Sequence, residues 1–490
     1  MNKDLDFDVL VLGGGPAGTC AALRLLDMGR KVALVEREVF PRTQIGESLS
    51  PGTWNVFNYL KAGHLLKDDG YFPGLQASVI WESQFVQTIT PEQRGPGLMV
   101  DRGQLDMDLI NLAVSRRLYL LQPAEIKTCR KTEERWQIQV VIDGKIITIS
   151  AKLILDARGR KGVPIKNKIV TAPESIAVWT QVNAGAFQNQ TLIEALDNGW
   201  LWGAPVSAKQ FRVMAFADTL SVKIKRPYDL LCGFVKDSQL FKSVATSLSA
   251  KHIQTCKVDH YCHNTPWEDN YIRLGETAFT LDPLSSTGVE KAMRVSLQAA
   301  IAVNTVLSGG EPEMARSFYE NILIEAISTH VKWTAGYYKL AWPAKELSFW
   351  KSRSAESIIL SANTTSLQAR LKAHLEVSPR NVRAKPAART EAIQTLESLW
   401  YRQVKVSPEL TFIKRPCIVD DRLELKMAVD HPCLEREIAY LDQVELAPLL
   451  NKITAGDTFG DLMYKWGTAL PLAQGARIFV QLYRLGMLLC

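Results

Sequence analysis

Residues 7–12, Phe-Asp-Val-Leu-Val-Leu, run directly into Gly13-Gly14-Gly15-Pro16-Ala17-Gly18, and no other feature of the chain restricts its fold as strongly. The run is short, apolar and β-branched, as suits a strand buried in a parallel sheet. Residues 19–29 then read as a helix, and residues 31–36 as a second strand ending on the acidic Glu36. Strand, GxGxxG, helix, strand and a terminal acid about 20 residues on make up the full dinucleotide-binding context, whereas a bare glycine turn would not. Gly13 permits the tight turn, Gly15 leaves room for a diphosphate against the backbone, and Gly18 lets helix and strand pack closely. Pro16 and Ala17 complete the turn, and the helix start offers free N–H groups to the anion. The Glu36 carboxylate accepts from ribose hydroxyls, with Arg37 beside it.

Composition narrows the class further. At roughly 150 residues per domain, the chain is long enough for two to four domains. Lys and Arg outnumber Asp and Glu by 58 to 51, a net +7, which favours an anionic cofactor. That excess is too small to imply nucleic acid. The 8 cysteines lack paired spacing, so reduced thiols are expected rather than a disulfide framework. No stretch approaches the ~18 uninterrupted apolar residues of a spanning helix; Arg477 and Arg484 break the C-terminal run. The N-terminus does not read as a secretory signal, because acidic residues flank its apolar run and no small-residue cleavage site follows. A soluble, cytoplasmic enzyme with no membrane or nucleic-acid partner is expected.

Three more segments bear on which dinucleotide is bound. They are Pro41-Arg42-Thr43-Gln44-Ile45-Gly46-Glu47-Ser48, Asp101-Arg102-Gly103-Gln104-Leu105-Asp106, and residues 274–293, which contain Asp282-Pro283-Leu284-Ser285-Ser286-Thr287-Gly288. Together they resemble the FAD-binding elements of the flavin-dependent monooxygenase and halogenase superfamily, over about residues 6–355. The resemblance implies an α/β fold of the para-hydroxybenzoate hydroxylase type, a Rossmann-like FAD-binding domain with an inserted antiparallel β-sheet. It implies that Arg42, Ser48 and Arg102 approach the cofactor, that Arg102 contacts its phosphates, and that Asp282, with Pro283, meets the ribitol. Ser286, Thr287 and Gly288 would open a helix under the flavin ring, where a dipole suits negative charge. No second strand–GxGxxG–helix is present, so the electrons are expected from an external donor: reduced flavin, a flavin reductase or transient NAD(P)H.

The segment Gly199-Trp200-Leu201-Trp202-Gly203-Ala204-Pro205 resembles the WxWxIP element of flavin-dependent halogenases, with Ala204 in place of Ile. Indoles at alternate strand positions place Trp200 and Trp202 on one face, as a rigid wall or as plain core. Ser286-Thr287-Gly288 matches the turn that holds halide in tryptophan halogenases, which implies a halide site near Thr287 and Gly288, although Ser285 stands where those enzymes carry Glu. Their halogen-capturing lysine has no counterpart in residues 71–81, and Lys61 and Lys67 do not match its position. Oxygen transfer from C4a-hydroperoxyflavin therefore gains weight over chlorination. The combined pattern, with Glu47 and the aromatic run Tyr337–Trp350, is similar to the flavoproteins that mature tryptophylquinone enzymes. That similarity implies oxidation of a tryptophan side chain within a partner polypeptide, with halogenation of an indole as the alternative.

His260 and His263 read either as acceptors for the proton lost when an oxidised indole rearomatises, or as hairpin histidines. With Cys256 and Cys262 they form a C-x3-H-x-C-H cluster, but neighbours on a strand face opposite ways, so no metal is expected. The inserted sheet is expected at about 70–100 and 165–270 within a 1–355 domain. Trp333, Tyr337, Tyr338, Trp342 and Trp350 form a helical aromatic stripe, as core or as pocket border. Residues 356–391 read as a basic linker, carrying Arg370, Lys372, Arg380, Arg383, Lys385 and Arg389. Residues 392–490 read as a small helical or winged-helix-like module.

Overall fold

The computed structural model describes residues 5–67, 71–160, 163–187, 189–207, 209–343, 347–355, 365–376 and 399–490. The chain divides into two compact units, Met1–Leu375 and Glu376–Cys490.

The first unit is built on an eight-stranded sheet. The strand Leu5–Leu12 lies parallel to both Val32–Val35 and Lys145–Asp156, with Leu12 opposite Val35 and Asp156. Tyr119–Leu121 and Tyr271–Arg273 extend the parallel set on its two sides. Val9, Leu10 and Val11 are fully buried, as a strand covered on both faces requires. Helix Pro16–Asp27 packs against the long helix Gly288–Leu307, so the glycine turn and the Ser286-Thr287-Gly288 turn belong to one layer. Lys145–Asp156 forms one strand of 12 residues. Its outer half pairs antiparallel with Trp136–Ile142, and its inner half enters the parallel sheet beside Leu5–Leu12.

A second sheet of seven strands runs in the order Gln254–Val258, Ser175–Asn183, Gln210–Asp218, Gly199–Pro205, Gln190–Leu196, Gln76–Ile80, Gln87–Ile89. It departs from the expected all-antiparallel insertion at one place, because Gln76–Ile80 lies parallel to Gln190–Leu196. Those two strands are more than a hundred residues apart, so no hairpin constrains their direction. One face is aliphatic: Val178, Leu201, Val213 and Ala215 pack with Leu231 and Phe234 of helix Pro227–Asp237. The other face is aromatic and packs on Ile45 and Leu284, which belong to the two cofactor-type segments.

Within the span read as a basic linker, Ser366–Glu376 is a helix, with Leu371 fully buried and Arg370 paired to Glu320 at 2.5 Å. Arg380, Arg383, Lys385 and Arg389 lie outside the described residues. In the second unit, Phe459–Gly467 and Leu472–Arg484 build a core from Phe459, Leu462, Trp466, Ile478 and Phe479. Thr458 and Asp461 form a capping box at the first of these helices. A hairpin, Thr411–Val419 with Arg422–Asp430, joins these helices and makes the unit α+β rather than helical alone. Its turn places Asp420 and Asp421 at φ of 44° and 64°, where aspartate is tolerated. Among the described residues no helix is long and apolar enough to cross a membrane.

Candidate active site

The glycine turn is shaped by close backbone approach. Gly13 has φ of 100°, and a Cβ there would meet the Ala157 carbonyl oxygen at 2.5 Å. A Cβ on Gly18 would collide with the Gly13 carbonyl, so both positions exclude a side chain from within the protein. Gly15 differs: its Cβ direction is open but for the Arg42 Nη2 tip at 3.6 Å. The helix begins with Pro16 and has no side-chain cap, leaving its first N–H groups unclaimed by a capping side chain. Ala17 packs beside Gly275, where a Cβ would lie 2.8 Å from it.

Charged groups converge on that opening. Glu36 Oε2 accepts from Gly14 N at 2.7 Å and Oε1 from Glu38 N at 2.8 Å, while Arg42 Nη1 approaches Oε1 at 3.6 Å. Arg42 also reaches Asp106 at 3.5 Å, and its buried Nε has no partner. Arg102 binds Asp106 through Nε and Nη2 at 3.2 and 3.1 Å and donates from Nη1 to the Ile45 carbonyl at 3.0 Å. Two guanidinium groups, two carboxylates and an open glycine at a helix start fit the diphosphate and ribose of a dinucleotide. Arg37 points outward and pairs with Glu38, and Ser48 lies in a short strand opposite Met99.

The second turn carries a buried polar network. Asp282 Oδ1 accepts from Leu284 N at 2.9 Å, capping the short 3-10 turn that Pro283 opens. Tyr338 Oη donates to Asp282 at 3.0 Å, and burial with this carboxylate raises the phenol well above its ordinary range. His260 Nε2 lies 3.7 Å from Asp282 Oδ2; both ring nitrogens are buried without hydrogen-bond partners, and burial lowers the ring's basicity. Ser286 sits at φ of 53°, and Ser285 Oγ contacts Thr287 Oγ1 at 2.7 Å and His330 Nδ1 at 3.5 Å. Gly288 opens the long helix with no atom within 4 Å of its Cβ direction. The ring of His330 is held neutral, its pKa pushed down to about 3 by burial and the nearby Lys291. Sequence reasoning missed His330, whose partner Ser285 is 45 residues away.

His263 is also buried, but it belongs to the small sheet with Lys168–Val170, where its Nδ1 accepts from Thr265 N at 3.0 Å. Burial and Arg273 push its pKa down to about 4. The structure thus sets His260 beside Asp282 and His263 in a separate environment. Cys256 contacts Arg160 instead of sharing a site with the histidines. Among the described residues there is no cluster able to hold a metal ion.

The aromatic face of the second sheet is ordered in rows by strand register. One row holds Ala177, Phe216, Trp200 and Ala195; the next holds Gln254, Trp179, Met214, Trp202 and Ile193. Trp200 and Trp202 share this face, as alternation requires, with Trp200 stacked on Phe216 at 4.0 Å. Trp81 closes on Trp200 and Trp350 at 6.1 and 5.4 Å, and its indole N–H donates to the Tyr337 carbonyl. Of the expected aromatic stripe, Tyr338 and Trp350 are buried here, whereas Trp333 and Tyr337 are 41% and 40% exposed. The third row pairs Gln181 and Ala204 with Arg212. Arg212 forms a buried ion pair with Glu47 and stacks over Trp179 at 4.3 Å, and burial pushes its pKa down to about 10. Glu47 therefore ties its loop to the sheet. Lys291 donates to the Ala326 carbonyl at 3.2 Å.

Comparison with known proteins agrees with this geometry. A family model described as FAD dependent oxidoreductase matches residues 8–160. The tryptophan 2-halogenase of Chondromyces crocatus is 25% identical over 371 residues, covering 70% of this chain and 70% of its own. The putative FAD-dependent oxidoreductase LodB of Marinomonas mediterranea is 26% identical over 386 residues, covering 73% of this chain and 99% of its own. Among solved structures, the peptidyl tryptophan dihydroxylase QhpG, essential for tryptophylquinone cofactor biogenesis, has a TM-score of 0.71 at 19% identity, covering 98% of this chain and 99% of its own. The flavin-dependent halogenase CmlS has a TM-score of 0.70 at 20% identity, covering 100% and 96%.

Proposed function

We propose that this chain, a FAD-dependent oxidoreductase of the flavin-dependent monooxygenase and halogenase superfamily, oxidises the indole of a tryptophan carried in a peptide or protein. The observation that carries the reading is the aromatic face of the seven-stranded sheet, where Trp81, Trp200, Phe216 and Trp350 pack with Ile45 and Leu284 of the two cofactor-type segments. A flat aromatic substrate suits a surface of indole and phenyl rings. The fold shared along nearly the whole chain with a peptidyl tryptophan dihydroxylase favours a polypeptide substrate.

When bound, FAD would activate dioxygen, which provides the transferred oxygen atom while its other atom leaves as water, with two electrons from an external donor. Gly15 would admit the diphosphate at the turn that Gly13 and Gly18 shape, Glu36 would take the ribose, and Arg42 and Arg102 would face the diphosphate. Asp282 is held by Tyr338 and Leu284 to receive ribitol hydroxyls, and the start of helix Gly288–Leu307 stabilises negative charge on the ring. Trp200, Trp202 and Phe216 keep water from the reacting indole. His260, beside Asp282 and with both ring nitrogens unpartnered, would accept at Nε2 the proton that the oxidised indole loses. His263 takes no part in this scheme.

Halogenation is the second reading, favoured by the halogenase relatives and by the open helix start at Gly288. The test is mass spectrometry of a tryptophan-containing polypeptide after incubation in air with the FAD-loaded chain, NADH, a flavin reductase and bromide. Gain of oxygen at tryptophan supports oxidation; a bromine isotope pattern without oxygen overturns it in favour of halogenation.

A further inference from the structure

The aromatic face of the seven-stranded sheet does not end at Trp179 and Trp202. In the row beyond them, Gln181 and Arg212 are register partners, and one row further Gln210 lies opposite Asn183. On the other side of Trp179, its partner is Gln254 of the edge strand Gln254–Val258. Trp179, Gln181, Gln210, Gln254, Lys251 and His252 border a groove of about 350 Å³, to which Ile253 also contributes. The groove shares Trp179 with the aromatic cluster, so the floor passes from indole to amide without a break.

The chemistry of that border is specific. Each glutamine offers a carbonyl acceptor and an amide donor, the two functions a peptide unit requires, and the register of three neighbouring strands sets Gln181, Gln210 and Gln254 on the face of Trp179. Lys251 brings a cation to the rim, and none of the described residues that line the groove is acidic. Arg212, next to Gln181, has its charge compensated by Glu47 while its buried Nε has no partner. A free aromatic molecule would fill the indole rows and leave this strip unused. A polypeptide whose tryptophan enters those rows must carry its main chain away from them, and the strip adjoins Trp179.

We infer that the groove bounded by Gln181, Gln210, Gln254 and Lys251 binds the main chain of the polypeptide substrate beside its target tryptophan, with Lys251 pairing to an acidic side chain of that segment. This deepens the reading of the chain as a peptidyl tryptophan oxidase and rests on it. The glutamine amides exchange hydrogen bonds with successive peptide units, and Lys251 selects for aspartate or glutamate next to the indole.

The test uses the full FAD-loaded chain and three probes: an acetylated pentapeptide with aspartate before a central tryptophan, its lysine counterpart, and N-acetyltryptophan amide. Dissociation constants are measured by calorimetry, and oxidation by mass spectrometry. The aspartate peptide is expected to bind about tenfold tighter than the capped amino acid, as two or so added hydrogen bonds imply, and about threefold tighter than the lysine peptide, as for an exposed ion pair. Lys251→Glu is expected to reverse the aspartate preference, and Gln210→Leu, two rows from the indoles, to weaken both peptides. Both variants should retain FAD, read from its absorbance, which shows that the fold is intact. Equal binding of all three probes, no peptide binding at all, or a preference unmoved by Lys251→Glu overturns the groove assignment. If the capped amino acid is oxidised while the groove variants change nothing, the groove falls and indole oxidation stands. If the peptides bind with the stated preference but their tryptophan is never oxidised, the oxidase reading falls and the groove stands.

Discussion

Arg212 and Glu47 are separated by 165 residues of chain and meet as a buried ion pair, their side chains 3% and 5% exposed. The contact fastens the segment that follows Arg42 to the aromatic wall. Two charges withdrawn from water are tolerable together and costly apart.

Glu47→Leu alone, or Arg212→Met alone, is expected to destabilise the fold by about 3–5 kcal/mol, because each leaves an uncompensated buried charge. The double variant is expected to recover most of that loss. Urea unfolding of the three proteins checks this, and additive losses would refute the coupling.

Gly15→Val is expected to yield a folded, colourless protein, since the space it fills is open within the protein itself. Gly18→Val is expected to fail to fold, because its side chain meets the Gly13 carbonyl. Absorbance at the flavin bands and circular dichroism distinguish the two. A yellow Gly15→Val protein would remove this turn from the cofactor site.

Trp202→Ala, at a half-buried position, is expected to retain stability and to release hydrogen peroxide in place of oxidised product. Trp200→Ala removes a side chain only 2% exposed and stacked on Phe216, with an expected cost of about 3–5 kcal/mol. Oxygen consumption set against product formation measures the coupling, and unchanged coupling in Trp202→Ala would count against the wall.

His330 and His263 have native pKa values pushed down to about 3 and about 4. In the unfolded chain each titrates near the ordinary value of about 6.5. The unfolded state therefore binds more protons as pH falls below about 6.5, and stability declines until the native pKa is reached. Each histidine contributes a slope of about 1.4 kcal/mol per pH unit within that window. The urea midpoint is expected to fall between about pH 7 and about pH 5, and to fall less in His330→Gln. An equal decline in that variant would show that His330 is not held neutral.

The features that could be read in advance share short spacing. The turn from Gly13 to Gly18 and the acid at Glu36 lie within one strand–helix–strand unit, and Arg102 meets Asp106 one helical turn along. Trp200 and Trp202 share a face because strand alternation dictates it. The 411–430 hairpin escaped notice because Lys414, Arg415 and Pro416 interrupt any apolar alternation, and its Asp420-Asp421 turn lacks glycine. Within residues 356–391, positive charge masked a helix whose apolar positions Leu367 and Leu371 are one turn apart and buried.

Residue order alone determined the dinucleotide turn, the acid at its second strand and the alternation of indoles, since each follows from local backbone periodicity. Tertiary structure decided that Glu47 is held by Arg212, that His330 rather than His263 adjoins the Ser285–Thr287 turn, and that a strip of glutamines adjoins the indole rows. Those relationships join residues tens to well over a hundred positions apart, and they exist only once sheet register and helix packing bring distant segments into contact.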